Sequence, residues 1–295
     1  MLGMRCKCGE EAVIRLKAYR RSFCSRCFVD FYERKVENFI RKHRLLRPGE
    51  RVFVAVSGGK DSASCLAVLK RLSERFAVDL SAFHINLGIG DYSRRVEEAS
   101  RRLCEKLGVE LEVVDLKSVY GVGVEEIAKS SRRKPCSACG TIKRYLMNKI
   151  PRELGADCVA TGHNLEDTVE FFFKNWTSGN YFWLSKQKPL LPSNHPKILK
   201  KIKPLFERSG KENETYAKIL KLPYEESKCP HSVVTKWREI GEIVEERVPG
   251  FKLSIAKGLE RLNIVVDAPK FRSCRLCGEP SNSDVCGFCR LIGRV

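Results

Sequence analysis

An α/β fold with a doubly wound parallel sheet is what this sequence predicts, with a small metal-stapled ribbon at each end. Three observations carry that expectation. Apolar runs of strand length alternate with helical patterns between residues 52 and 176, the signature of a parallel sheet covered by helices on both faces. A glycine-rich turn, Ser57-Gly58-Gly59-Lys60-Asp61-Ser62, joins the first of those strands directly to a helix. Eight of the 14 cysteines fall into two spaced quartets near the chain ends.

The chain opens with Cys6-x-Cys8 and, fifteen residues on, Cys24-x-x-Cys27. This spacing suits two thiolate knuckles around one tetrahedral Zn²⁺, which replaces the core that so few residues cannot build. The Cys-x-Cys bite is tighter than the usual Cys-x-x-Cys and marks the first ligands as the less regular half of the site. The central strands are expected at 52–56, 78–86, 110–115 and 157–161. Helices are expected at 62–75, 93–107, from Cys136 to about 153, and at 165–176. Residues 179–203, with Pro189, Pro192 and Pro196, read as loop, and helical patterns return at 210–221, 231–247 and 250–263. Cys274-x-x-Cys277 and Cys286-x-x-Cys289, eight residues apart, form the second quartet. The expected units are a ribbon at 1–32, a catalytic domain at 33–267 and a ribbon at 268–295. For both quartets a redox or iron-cluster site is the alternative to structural zinc.

Ligands of such sheets bind beyond the carboxyl ends of the strands. The turn at Ser57–Ser62, the segment Asn86–Gly90 and the segment Gly162-His163-Asn164 would meet there. Gly58 and Gly59 let the backbone approach a ligand closely, and the N–H groups opening the next helix favour negative charge. The spacing is not that of a Walker A loop. An acidic residue, Asp61, inside an anion site suggests Mg²⁺ bound with phosphates.

The formal charge of +19 and pI near 9.4 point to a polyanionic partner such as nucleic acid, although a basic surface also serves solubility. Lysines crowd residues 186–203, and Arg132-Arg133-Lys134 precedes a cysteine pair. No stretch approaches the roughly 20 apolar residues of a membrane helix, and no apolar signal region opens the chain; a cytoplasmic protein is expected. In that compartment cysteines are reduced, so metal binding is the default for so many.

Cys65, Cys104 and Cys158 lie within apolar patterns and read as buried free thiols. Cys136, Cys139 and Cys229 differ. The pair opens a helix behind basic residues, where thiolates are stabilised, and Cys229 lies in Lys228-Cys229-Pro230-His231. Three thiolates could hold a 4Fe-4S cluster with one open iron, a zinc ion with water, or a persulfide relay; spacing alone leaves all three open. Lys143 lies on the helical face of the pair. Asp167 opens a helix after a sheet-edge loop, where a carboxylate also caps N–H groups. His84 and His163 read equally well as structural histidines, and neither receives a proton-transfer role.

The hexapeptide Ser57–Ser62 resembles the PP-loop of the ATP pyrophosphatase superfamily. Together with the terminal ribbons and Cys136-x-x-Cys139 paired with Cys229-Pro230, the whole chain resembles the TtuA-type tRNA 2-thiolation enzymes. That resemblance implies ATP over Ala55, Val56, Ser57, Gly58, Gly59, Lys60, Asp61 and Ser62, with the adenine side lined by Phe83, His84, Ile85 and Gly162. It implies that the C2 oxygen of a tRNA uridine, most simply at position 54, is adenylated and then replaced by sulfur. Cys136, Cys139 and Cys229 match the family's ligands of a 4Fe-4S cluster, and Lys143 and Asp167 match positions needed for activity. It further implies a ubiquitin-like thiocarboxylated sulfur carrier as partner and a homodimer. The alternatives are a wobble-uridine thiolase, an ammonia-using amide ligase of the same superfamily, and a zinc-ribbon RNA-binding protein without activity.

Overall fold

Strand-length apolar runs separated by amphipathic helices fold here into one six-stranded sheet wrapped by helices; the computed structural model describes residues 4–266 and 271–293. The chain begins with a hairpin, β1 (Ile14–Leu16) and β2 (Arg21–Phe23), followed by the long helix α1 (Ser25–His43). The core alternates β3 (Arg51–Ala55), α2 (Lys60–Phe76), β4 (Asp79–Asn86), α3 (Gly90–Leu107) and β5 (Leu111–Asp115). Two short helices, α4 (Leu116–Tyr120) and α5 (Val124–Ser130), lead to α6 (Pro135–Glu153), β6 (Cys158–Thr161) and α7 (Leu165–Thr177). Then come α8 (Tyr181–Ser185), β7 (Leu190–Leu191), β8 (Lys200–Ile202), α9 (Gly210–Ile219), α10 (Lys236–Arg247) and α11 (Phe251–Arg261). The last hairpin, β9 (Arg272–Ser273) and β10 (Pro280–Ser281), precedes α12 (Gly287–Leu291).

The strand order is β5-β4-β3-β6-β8-β7, parallel except for β7. The order of connection reverses between β3 and β6, so a crevice opens there at the carboxyl ends. Residues alternate across the sheet as the pleat requires. Val52, Val54 and Val56 join the cluster containing α1, α2 and α9, whereas Phe53 packs with Phe83 and Val159 on the other face. A third cluster joins Ile142 and Leu146 of α6 to Phe288 and Cys289 of the C-terminal ribbon.

Two features depart from the sequence reading. Residues 179–203 are not all loop, because they contain α8, β7 and β8 and extend the sheet by two strands. The strands are short, and Lys200-Lys201-Ile202 offers one wholly buried apolar side chain, Ile202; backbone pairing makes a strand there without an apolar pattern. The helix read at 231–247 begins only at Lys236, because 231–235 belong to an irregular segment and the Thr235 hydroxyl caps the helix by accepting from Arg238 N. The boundary read at 32/33 falls inside α1, and that read at 267/268 touches residues outside the described ones. Cys65, Cys104 and Cys158 are buried in the main core, and burial pushes each thiol up to about 12.

Candidate active site at the sheet switch point

The turn after β3 is built to keep its backbone open. Gly58 has φ +81°, and a Cβ there would lie 2.5 Å from Val96 Cβ and O on α3; only glycine passes so close. Gly59 is the N-cap of α2 and offers no side chain to the first N–H groups, which leaves them for an anion. Ser62 Oγ accepts from Ser57 N at 3.0 Å and donates to Gly59 O at 2.9 Å, closing the turn on itself. Asp61 is held on both sides, by Lys60 Nζ at 2.8 Å and by Asn213 Nδ2 at 2.8 Å. Ala55 and Val56 end the strand beneath.

Gly162, in the turn after β6, closes the crevice from the other side. A Cβ on it would stand 2.9 Å from the backbone of Asp61 and Ser62. Phe83 and His84 are buried in the sheet, at 1% and 2% exposure, and Ile85 is half-buried. His84 Nδ1 lies 2.9 Å from Val56 O, while its Nε2 is buried without a partner among the described residues. Burial holds the imidazole below its usual range, so the neutral ring donates from Nδ1 and presents Nε2 as an acceptor.

Asp167 joins this site through α7. It forms a reciprocal capping box with Asn164, in which each backbone N–H reaches the other's side chain at 3.1 Å. Burial raises its carboxyl to about 6, against the opposing Asn164 hydrogen bond and Arg238, whose Nη1 is 3.6 Å away. Lys203, just past β8, is lowered to about 8 by burial, with Asp167 acting in the opposite sense. His163 is lowered to about 4 by burial and by the charges of Lys203 and Lys143. Lys143 lies close enough to His84 and to Cys139 for its charge to act on both. It therefore links the nucleotide side to the thiols.

Cys139 is half-buried, and burial raises its thiol; Lys143 works against that rise, whereas Cys229 and Cys136 add to it. Cys139 on α6 and Cys229 in the irregular segment before α10 pack against the same apolar cluster, and Cys136 opens α6 beside that segment. They are more widely spread than the ribbon cysteines: among the described residues, only the two quartets bring all their ligand atoms within 4.8 Å. A tetrahedral ion with bonds of about 2.3 Å sets its sulfurs about 3.8 Å apart. Cys8 and Cys24 lie 3.6 Å apart, and Cys277 and Cys286 lie 3.7 Å apart. Cys6, Cys8, Cys24 and Cys27, like Cys274, Cys277, Cys286 and Cys289, therefore fit a single ion, Cys-x-Cys bite included. The wider trio suits a larger polynuclear group.

The sequence gives no signal for Asn213, Arg238 or the site role of Lys203. Each acts through a contact made by distant parts of the chain, and Lys203 is lost among its neighbouring lysines.

Residues 30–232 match the PP-loop domain family. The chain is 40% identical to the tRNA-5-methyluridine(54) 2-sulfurtransferase of Thermus thermophilus, over 99% of this chain and 92% of that one. It is 37% identical to the Pyrococcus horikoshii protein of the same name, over 98% and 94%. Its fold is similar to that of the U34-tRNA thiolase NcsA from Methanococcus maripaludis, solved with its [4Fe-4S] cluster, with TM-score 0.84 and 31% identity over 100% and 97% of the two chains. A glycine turn at the switch point, a thiol trio one helix away and full-length relatives of one kind agree: the chain belongs to the PP-loop family and, within it, to the tRNA 2-sulfurtransferases.

Proposed function

We propose that this protein thiolates C2 of a tRNA uridine in two steps at one crevice, with ATP as the activating substrate. The observation that carries the reading is the place of Lys143, whose charge acts on Cys139 on one side and on His84 and His163 at the sheet edge on the other. Phosphates lie on the N–H groups of α2, with Lys60 and Mg²⁺ on Asp61 offsetting their charge. The adenine lies at the end of β4, where Phe83, His84 and Ile85 stand. The uridine O2 bonds to the α-phosphorus while the bond to pyrophosphate breaks, and this converts a poor leaving group into AMP. Sulfur then bonds to C2, and the C2–O bond breaks with AMP leaving. Lys143, between the thiols and the nucleotide, balances negative charge as AMP departs.

Cys136, Cys139 and Cys229 are the residues to hold a 4Fe-4S cluster, which when bound supplies an open iron as the sulfur site. Both quartets hold zinc, as their spacing fits. The basic surface holds the tRNA, and a ubiquitin-like thiocarboxylate carrier delivers sulfur to a homodimer in the cytoplasm, where the relatives named cytoplasmic tRNA 2-thiolation protein 1 are placed by their name. Position 54 is favoured over 34, because relatives named for position 54 are 35–40% identical and the U34 thiolase is 31% identical.

The direct test is anaerobic reconstitution with iron and sulfide, then incubation with ATP and unmodified tRNA, with nucleoside mass spectrometry and mapping of the thiolated position. ATP-dependent 2-thiouridine at position 54 is expected. Full activity in Cys136→Ala, Cys139→Ala or Cys229→Ala would overturn the role given to the trio.

A further inference from the structure

The residues between α9 and α10, 220–235, form neither helix nor strand, yet they are fastened at both halves of the site. Near the start, Glu225 N donates to Gly58 O at 2.8 Å, so the strap is tied to the backbone of the nucleotide turn itself. Near the end, His231 O accepts from Cys136 Sγ at 2.9 Å, and His231 Nε2 lies 2.7 Å from Glu125 Oε1 on α5. Cys229 sits between these anchors.

One face of α3 forms the floor beneath. Tyr92, Arg95 and Val96 are spaced i, i+3 and i+4 and so lie side by side. Val96 abuts Gly58. Arg95 reaches Glu225 Oε1 at 3.4 Å and Ser227 Oγ at 3.3 Å. Tyr92 packs against the same apolar cluster as Cys139 and Cys229. Glu225 also folds the strap locally by accepting from Ser227 N at 3.1 Å.

We infer that this strap couples occupancy of the nucleotide turn to the position of Cys229, with Arg95, Glu225 and His231 as positioning residues. The inference rests on the two-part reading above. A shift of the Gly58 backbone as phosphates draw in passes to residue 225 through one hydrogen bond. The four residues from there to Cys229 span at most about 14 Å, and Arg95 and the Glu125–His231 pair remove most of their slack. The nucleotide thereby sets how firmly the third thiolate holds its metal group, and activation is timed to sulfur handling.

The coupling is tested on the full chain, reconstituted anaerobically, by following iron release to a ferrous chelator with and without a non-hydrolysable ATP analogue. In the unaltered protein the analogue slows release about fivefold or more. Arg95→Ala, and separately Glu125→Ala at the far anchor, bring that protection to within about twofold of none, while the analogue's affinity changes less than threefold; Arg95→Lys restores part of it. The Arg95 and Glu125 side chains are 42% and 43% exposed, so neither replacement opens the core, and the two anchors are tested independently. Equal release with and without the analogue in a cluster-loaded protein, or undiminished protection in both alanine variants, would overturn the coupling. Failure of the unaltered protein to acquire the cluster's visible absorption would instead sink the reading on which it rests.

Discussion

At Gly162 a side chain is excluded by the backbone of Asp61 and Ser62, and at Gly58 by both the backbone and the Cβ of Val96, and the two positions fail differently when filled. Gly58→Ala forces a left-handed φ and a clash with α3, a cost of about 2 kcal/mol or more, read as a lower denaturant midpoint. Gly162→Ala has no unfavourable φ, but its methyl meets the first turn of α2. It should displace that turn and weaken nucleotide affinity about tenfold or more, measured by calorimetry, with a smaller loss of stability than Gly58→Ala. Asp167 gives a pH signature. Its carboxyl is neutral in folded and unfolded chains below about 3.8; because the folded value is raised to about 6, its contribution to stability is lost as pH rises through that window. Asp167→Asn should therefore gain stability relative to the unaltered chain between about pH 4 and 6. The gain should reach about 2 kcal/mol, from about 1.4 kcal/mol per unit discounted because the side chain is 29% exposed; equal slopes of midpoint against pH would contradict this. Ser57–Ser62 and Gly162 were legible because backbone demands restrict the residue types a turn tolerates. Lys203 and Asn213 were not, because their surroundings come from other elements.

At the scale of elements, α6 serves two structures at once. One end carries Cys136, Cys139 and Lys143, and its flank supports the C-terminal ribbon. Phe288 of α12 stacks on Tyr145 with ring centroids 3.9 Å apart, and Arg152 is bound to Glu279 through two nitrogens. The ribbon therefore braces the helix that presents the thiols. Phe288→Ala should cost about 3 kcal/mol and lower the iron retained after anaerobic reconstitution. An unchanged iron-to-protein ratio would show that the ribbon does not brace the thiol pair. The long apolar strands and the periodic helices α2 and α3 were readable from pattern, since burial on one or both faces dictates it. The pair β7–β8 was not, because an edge ladder of a few residues is held by backbone hydrogen bonds and by Lys200 on Glu50, neither of which leaves an apolar repeat.

Over the whole molecule, the +19 charge favours a polyanionic partner. Affinity for tRNA should fall at least about tenfold between 50 and 200 mM salt, because neutralised phosphates release their counterions; a flat dependence would contradict a phosphate-tracking surface. Among the described residues no helix is long and apolar enough to cross a membrane. The charge and the cysteine quartets could be read without structure, but the way the ends are joined to the middle could not. Tyr32, in the helix that starts among the first quartet's cysteines, donates to Asn213 Oδ1 at 2.7 Å, and Asn213 in turn holds Asp61. Two hydrogen bonds thus run from the first ribbon's helix to the carboxylate of the nucleotide turn. An attempt to trim the enzyme to a minimal catalytic core by cutting after residue 32 would remove the first link of that chain, together with Phe28 and Phe31 from the core. The N-terminal ribbon is thus no detachable handle: unfolding its cysteine quartet would loosen the helix that steadies the Asp61 carboxylate through Asn213.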